Sequence, residues 1–297
     1  GVSLSFHLNS WLILTVLSAA ILTIQRIFQK KVLIKEHATM YLTTFCFMMW
    51  IILLPFIPIY GIDADLNILL IIIFKSFILS ISWLLIVKAY RHMELSAVEP
   101  LKNFSPFLLL ILAFIFLKET PTIIQLVGVG FILFGGYILE GVIHPHGFKH
   151  INVLFRGKYI HYIFLSLIVG AFSGILDKIV LAKVSVLTMM FFEFLFASIF
   201  TFIYQSVKYK GYKDIIYSLK TNGLLIVLVA ITTLISDWAY FRAVAIPDSL
   251  VSLVVPVRRL TSLFIVIIGG ELFHEKSIIE KTLACLVMLV GVYFIAS

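Results

Sequence analysis

Two arginines, Arg258 and Arg259, stand side by side inside the apolar run LVVPVRRLTSLFIV, residues 253 to 266. Lys75 and Lys102 lie in similar surroundings, and Glu99, Asp177, Glu193 and Asp237 are the acids within or near such runs. A charge at the centre of a hydrocarbon layer costs roughly 2.5 to 3.5 kcal/mol on insertion scales, so each of these side chains needs a counter-charge, water or a ligand. Neighbouring residues on a helix point about 100° apart, so the two arginines cannot both face a single acid on one neighbour, but they can flank a cavity. Arginine offers a planar fork of donors suited to carboxylate or phosphate. With Lys102, the pair is therefore a candidate clamp for an organic anion. The competing expectation is internal neutralisation, in which Glu193 and Asp237 pair with the cations and any ligand is neutral or zwitterionic. Glu99, three residues before Lys102 on the same helical face, is the obvious partner for that lysine.

Other residues carry weaker signals. Trp83, Tyr90, Trp238 and Tyr240 fall in the third and eighth apolar runs. They could enclose the organic part of a ligand, although membrane aromatics more often pack or anchor at the interface. Glu193 and Asp237, with Lys75 in the same ion-pair set, could take up protons and couple them to ligand movement. Cys46 and Cys285 sit inside apolar runs far apart in sequence, as buried free thiols do. His144, His146 and His150 are spaced like metal ligands but have no Cys or carboxylate nearby, so neither a metal nor another cofactor is expected. GAFSG, residues 170 to 174, is a small-residue face for close helix packing. The chain lacks a nucleophilic triad, a Walker loop and a dinucleotide fingerprint, so it does not read as an enzyme. There is no room for the nucleotide domain of an ATP-driven pump.

These residues must be positioned by membrane helices. Hydrophobic residues make up 62% of the 297-residue chain and charged ones only 13%, which lies outside the soluble globular range. Ten apolar stretches are each long enough to cross a bilayer: 9–30, 38–59, 66–88, 95–117, 121–143, 159–182, 186–208, 221–244, 248–271 and 277–296. The first lacks a basic leader and a cleavage site and reads as a retained helix. The net charge of +8 resides in short loops, so it speaks for topology and not for nucleic acid.

The chain also repeats. EPLKNFSPFLLLILAFIFLKET, residues 99 to 120, aligns with VPVRRLTSLFIVIIGGELFHEK, residues 255 to 276, at a shift of 156. Pro100 then meets Pro256, Lys102 meets Arg258, Glu119 meets Glu275 and Gly135 meets Gly291. A looser match, with shifts near 150, places LTIQRIF over GILDKIV and MYLTTF over MFFEFL. The expected architecture is an all-α membrane protein of ten transmembrane helices in two five-helix repeats, about 1–145 and 155–297. An odd number of spans per repeat inverts the second relative to the first. Inverted repeats can exchange shapes and expose a central site to each side in turn, and such proteins place that site near the midplane beside interrupted helices. Pro100, Pro106 and Pro256 interrupt the fourth and ninth spans.

Pro106, Glu119, Gly128 and Gly135, between an SPF start and an FLKE segment and echoed by Glu275 and Gly291, resemble the signature of the drug/metabolite transporter superfamily, EamA-like type. The second copy departs from the spacing with Ser262 at the Pro position and Ala284 at the first Gly. The resemblance spans essentially the whole chain. It implies a secondary transporter of small metabolites in which spans three and eight flank the cavity. The placement of Lys102 and of Arg258 with Arg259 is similar to plant phosphate translocators of the same superfamily, where a basic residue in helix four and a Lys-Arg pair in helix nine hold phosphate. The expectation is a transporter for a small organic anion that works by alternating access. Its rivals are a carrier of neutral or zwitterionic metabolites such as amino acids, and a non-transporting interaction or lipid-scrambling module.

The expected partners are a small-molecule solute, the lipid bilayer and protons as coupling ion, with no nucleic acid; the chain would act as a monomer or homodimer. A compact chain without a targeting extension fits a bacterial or archaeal inner membrane. Most loop lysines and arginines follow spans one, three, five, seven and nine, which by the positive-inside rule puts both termini outside the cytoplasm. The family resemblance implies the reverse.

Overall fold

A computed structural model of the chain describes residues 2–33, 35–57, 63–92, 104–143, 158–261, 263–264 and 278–296. These form α1 (Val2–Leu33), α2 (Ala38–Leu53, prolonged by a 3-10 turn over Leu54–Phe56), α3 (Leu66–His92), α4 (Phe104–Leu112, continuing as a π-helical turn over Ala113–Leu117) and α5 (Ile123–Ile143). The second half supplies α6 (Lys158–Leu181), α7 (Val186–Lys208), α8 (Tyr212–Ala245), α9 (Val251–Arg258) and α10 (Ile278–Ala296). Six of them, α1, α2, α3, α6, α7 and α8, are long and apolar enough to cross a membrane, and α4, α5 and α10 carry shorter apolar stretches. Helices are what this composition demands, because in lipid each backbone group must find its partner within the chain. Hydroxyls along them bond back to carbonyls one turn earlier, as Thr15 does to Trp11 and Ser76 to Ile72, both at 2.7 Å.

Several boundaries differ from the expected spans, α1 starting at Val2 and α3 running on to His92 among them. α8 begins nine residues early because it contains a kink at Asn222 (φ −135°, ψ 21°), which sets residues 212–221 apart as a short helix of their own. α9 is interrupted after Arg258: Pro256 has no N–H for the Ser252 carbonyl, the N–H of Arg259 turns back to the Pro256 carbonyl at 2.9 Å, and helical structure resumes at Thr261. The loosened end is taken up by α1. The Thr261 hydroxyl donates to the Ala19 carbonyl at 3.2 Å, and that of Thr23 donates to the Thr261 carbonyl at 3.3 Å.

Most helix contacts occur twice. α1 packs on α8 as α3 packs on α6, α2 on α8 as α3 on α7, and α1 on α9 as α6 on α4. Ser18 and Ser236 exchange hydroxyl-to-carbonyl hydrogen bonds across α1 and α8 at 2.8 and 2.9 Å, and Ser82 and Ser166 do so across α3 and α6 at 2.9 Å each way. The decisive contact joins α5 to α10. A Cβ on Gly128 would lie 2.7 Å from the Gly291 carbonyl oxygen, one on Gly291 would lie 2.6 Å from that of Gly128, and one on Gly135 would lie 2.8 Å from that of Ala284. Gly128 and Ala284, like Gly135 and Gly291, are equivalent at the shift of 156. Each position therefore faces the partner of the other, as two antiparallel copies must. The architecture is a two-repeat, all-helical one among the described residues, and the second repeat runs inverted.

Burial refines the register. Buried Thr15, Ser18, Ala19, Thr23, Gln25 and Val32 fall on buried Ile163, Ser166, Leu167, Ala171, Ser173 and Val180 at a shift of 148, which also carries α2 onto α7. At a shift of 154, Ile68, Ile72, Lys75, Ser76 and Ser82 fall on Asn222, Ile226, Val229, Ala230 and Ser236, all buried. The LTIQRIF match is thus displaced by one helical turn, a slip that keeps the same face inward and leaves little trace in an apolar sequence.

Candidate functional site

Lys75 is fully enclosed, its side chain 1% exposed, between Asp177 of α6 and Glu193 of α7. Its ammonium donates to Glu193 Oε2 and lies 2.8 Å from Asp177 Oδ1, at an angle that makes the second contact an ion pair without a well-aligned hydrogen bond. Two carboxylates share one lysine, and α3, α6 and α7 are tied at a single point.

One layer away, Arg258 at the end of α9 reaches α8. Its Nη2 donates to Asp237 Oδ1 at 2.5 Å and to Ser236 Oγ at 3.2 Å, and its guanidinium lies 4.4 Å from the ring centre of Tyr240. Ser236, Asp237 and Tyr240 share a helical face. Phe241, next on α8, has its ring centre 5.7 Å from the Lys75 ammonium, so this stretch of α8 touches both ion pairs. Both side chains of the Arg258–Asp237 pair keep some exposure, 20% and 17%, where the lysine cluster is closed. Arg258 Nε is buried with no hydrogen-bond partner among the described residues.

A further carboxylate and a lysine organise the walls. Glu119, 7% exposed, accepts from the N–H groups of Val251 (2.8 Å) and Ser252 (3.0 Å) and from the Ser252 hydroxyl (2.6 Å). It thereby caps the first turn of α9, where unpaired donors and the helix dipole favour an anion. Lys118, in the left-handed region at φ 55°, ends the π-helical turn and aims Glu119 at α9. On the opposite flank of the α8–α9 connection, Lys178 Nζ donates to the carbonyls of Val244, Ile246 and Ser249 at 2.8 to 2.9 Å. The turn before Arg258 is thus held by an acid from the first half and a base from α6.

The residues expected to carry function divide accordingly. Lys75 meets Glu193 and Arg258 meets Asp237, and Tyr240 lies under the guanidinium. Arg259 is half-buried beside Arg258. Lys102, Glu99, the Tyr90 side chain and the histidines 144, 146 and 150 lie outside the described residues. Trp83 is half-buried and packs on the main core. Trp238 is 40% exposed. Sequence reasoning left three partners unassigned: Asp177, the counter-ion of Lys75; Lys178; and, at the loop end away from the site, Glu36, which accepts from Ser218 and Asn222 at 2.6 Å each. An acid inside an apolar run was the available signal for Asp177. For Lys178 and Glu36, near helix ends, a solvated position was equally consistent with the sequence.

The description "EamA-like transporter family" matches residues 9–140 and 157–297, one match to each repeat. The chain belongs to that family. An EamA-like transporter moves small solutes across a membrane, and a chain of this kind is an integral membrane protein. No curated protein matches it. A solved crystal structure, described only as that of a protein, superposes with a TM-score of 0.69 over 96% of this chain and 94% of the other at 11% identity, which speaks for the fold alone. In this EamA-like transporter Glu119 caps α9, and the Lys75–Asp177–Glu193 and Arg258–Asp237 ion pairs lie on α3, α6, α7, α8 and α9.

Proposed function

We propose that the protein is a secondary transporter of a small neutral or zwitterionic organic solute, carried by alternating access around the Arg258–Asp237 and Lys75–Asp177–Glu193 clusters. One observation carries this reading: Lys75 and Arg258 already hold carboxylates, so an anionic solute would have to displace an acid from Arg258 or enter beside it. A solute with both charges needs no such exchange. Its carboxylate meets the unpartnered Nε of Arg258, its ammonium takes the acidic side of Asp237 and the Tyr240 ring, and the net charge of the site is unchanged. Glu193 serves as the proton-coupling residue in this scheme.

The buried Nε also favours a second reading, the anion clamp of Arg258, Arg259 and Lys102, in which phosphate or carboxylate replaces Asp237. Thermal melts of the purified protein against amino acids, sugar phosphates and dicarboxylates separate the two, because a solute that binds the folded state alone raises its melting point. A shift with amino acids that disappears in Arg258→Gln supports the zwitterion reading. A shift confined to phosphates or dicarboxylates replaces it with the clamp. In reconstituted vesicles an inward proton gradient should drive solute movement, and Glu193→Gln should abolish that drive while sparing solute exchange.

A further inference from the structure

Roughly 30 Å of helical rise along α8 from Asp237, a second feature is unconnected with solute transport. Where α2, α7 and the start of α8 meet at the loop surface, an open recess of about 350 Å³ is lined by His37, Gln205, Tyr209, Lys210, Asp214 and Tyr217, among others. Gln205 is 2% exposed. Its Nε2 donates to Asp214 Oδ2 at 2.9 Å, an assignment fixed by the carboxylate being an acceptor only, so its other amide atom is an oxygen. That Oε1 is buried and has no donor among the described residues. The same Asp214 oxygen also accepts the Lys210 N–H at 2.9 Å, so this acid is committed to shaping the wall. Gln205, one of the residues lining the recess, therefore carries an unmet acceptor, with lysine and tyrosine also in the lining.

The neighbouring segment says what kind of molecule approaches. Residues 212–221 form a short helix before the Asn222 kink, pinned through Ser218 and Asn222 to Glu36. Tyr212, Ile216 and Leu219 make an apolar stripe at helical spacing, and all three are exposed at 58%, 46% and 37%. Lys213 and Lys220 flank that stripe, and exposed Lys31, Lys35, Lys208 and Lys210 surround it. A soluble anion would explain the lysines but not the apolar stripe. A bilayer interface explains both, since an amphipathic helix there sets its apolar face toward acyl chains and its lysines toward phosphates.

We propose that this recess binds the headgroup of an anionic phospholipid whose polar end carries hydroxyls. The phosphate lies near Lys210 and Lys213, a headgroup hydroxyl donates to Gln205 Oε1, and the 212–221 helix rests in the interface beside it.

The test uses the full chain in nanodiscs of phosphatidylcholine doped with phosphatidylglycerol or with phosphatidic acid, read by melting temperature and by competition for a fluorescent phosphatidylglycerol. Phosphatidylglycerol should stabilise the protein over pure phosphatidylcholine. Each of Lys210→Gln, Lys213→Gln and Lys220→Gln, exposed changes that leave the fold intact, should weaken it about fivefold, while Lys118→Gln should not. Gln205→Leu should erase the preference for phosphatidylglycerol over phosphatidic acid and keep the response to charge. Unchanged affinity in the lysine variants, an equal loss in Lys118→Gln, or equal stabilisation by soluble glycerol phosphate would each overturn the proposal.

Discussion

The Lys75 cluster has a twin that is nothing like it. Carried through the repeat, Lys75 falls on Val229, Asp177 on Gln29 and Glu193 on Phe45, and Val229 and Phe45 are as buried as the charges they replace. The reverse holds at the loop end, where Glu36, Ser218 and Asn222 fall on Val184, Ala64 and Ile68. Backbone, burial and helix pairing are duplicated, but charge is not. One packing scheme therefore accommodates either an ion cluster or an apolar plug at the same place, and the chemistry of the site was not required to build the fold.

The sharpest way to break that contrast is Lys75→Met. It strands two buried carboxylates and should cost about 3 to 5 kcal/mol, seen as a large fall in melting temperature. Importing the twin, Lys75→Val with Asp177→Gln and Glu193→Phe, should recover most of this loss in the same assay while abolishing solute movement. Continued transport by that variant would mean that the cluster is only a brace. At the other polar site, Glu36→Val leaves the Ser218 and Asn222 donors unmet and should cost about 1 to 3 kcal/mol, recovered when both are replaced by Ala and Ile.

The duplicated contacts should respond alike. Gly291→Ala drives a Cβ onto a backbone oxygen and should cost roughly 1 to 3 kcal/mol, with Gly128→Ala matching it; Ala284→Gly should cost less than about 1 kcal/mol. Ser82→Ala and Ser236→Ala should each lose only about 0.6 kcal/mol in denaturation midpoints. The smallest effect sits at Asp63, an exposed residue outside the membrane helices that accepts the Ser185 N–H at the start of α7. Partial burial alone would raise its pKa, but hydrogen bonds from Thr188 and Ser185 outweigh that and hold it below the usual carboxylate range. Its contribution is present above about pH 4 and fades as pH falls through the lowered value. Asp63→Asn should flatten that slight acid-side loss in a melting series.

The repeat, the membrane setting and the out-of-place charges were legible because each breaks a strong background: an apolar run does not carry Lys75 or Arg258 by accident. Pairing was less legible. Asp177 and Glu193 are adjacent to Lys75 only through α6 and α7, and no sequence spacing relates three separate helices. Trp238 looked like Tyr240 by type and neighbourhood, yet two positions along the helix separate a side chain 40% exposed from one 6% exposed. Glu119 was visible as a motif, but its task of capping α9 depends on a residue more than a hundred positions later. Lys178 lies near a helix end, where a lysine normally meets water, while here it meets one carbonyl at the end of α8 and two in the connection to α9.

The crossing of α5 and α10 has an ancestral meaning. Gly128 lies on Gly291 and Gly135 on Ala284, so this face is complementary to itself, the property that defines an isologous two-fold interface between identical chains. A forebear with one repeat would have used this face to pair with an upside-down copy. Fusion of the two copies froze that dimer into one chain and freed each half to mutate alone, which is how a lysine with two acids can stand opposite a valine, a glutamine and a phenylalanine.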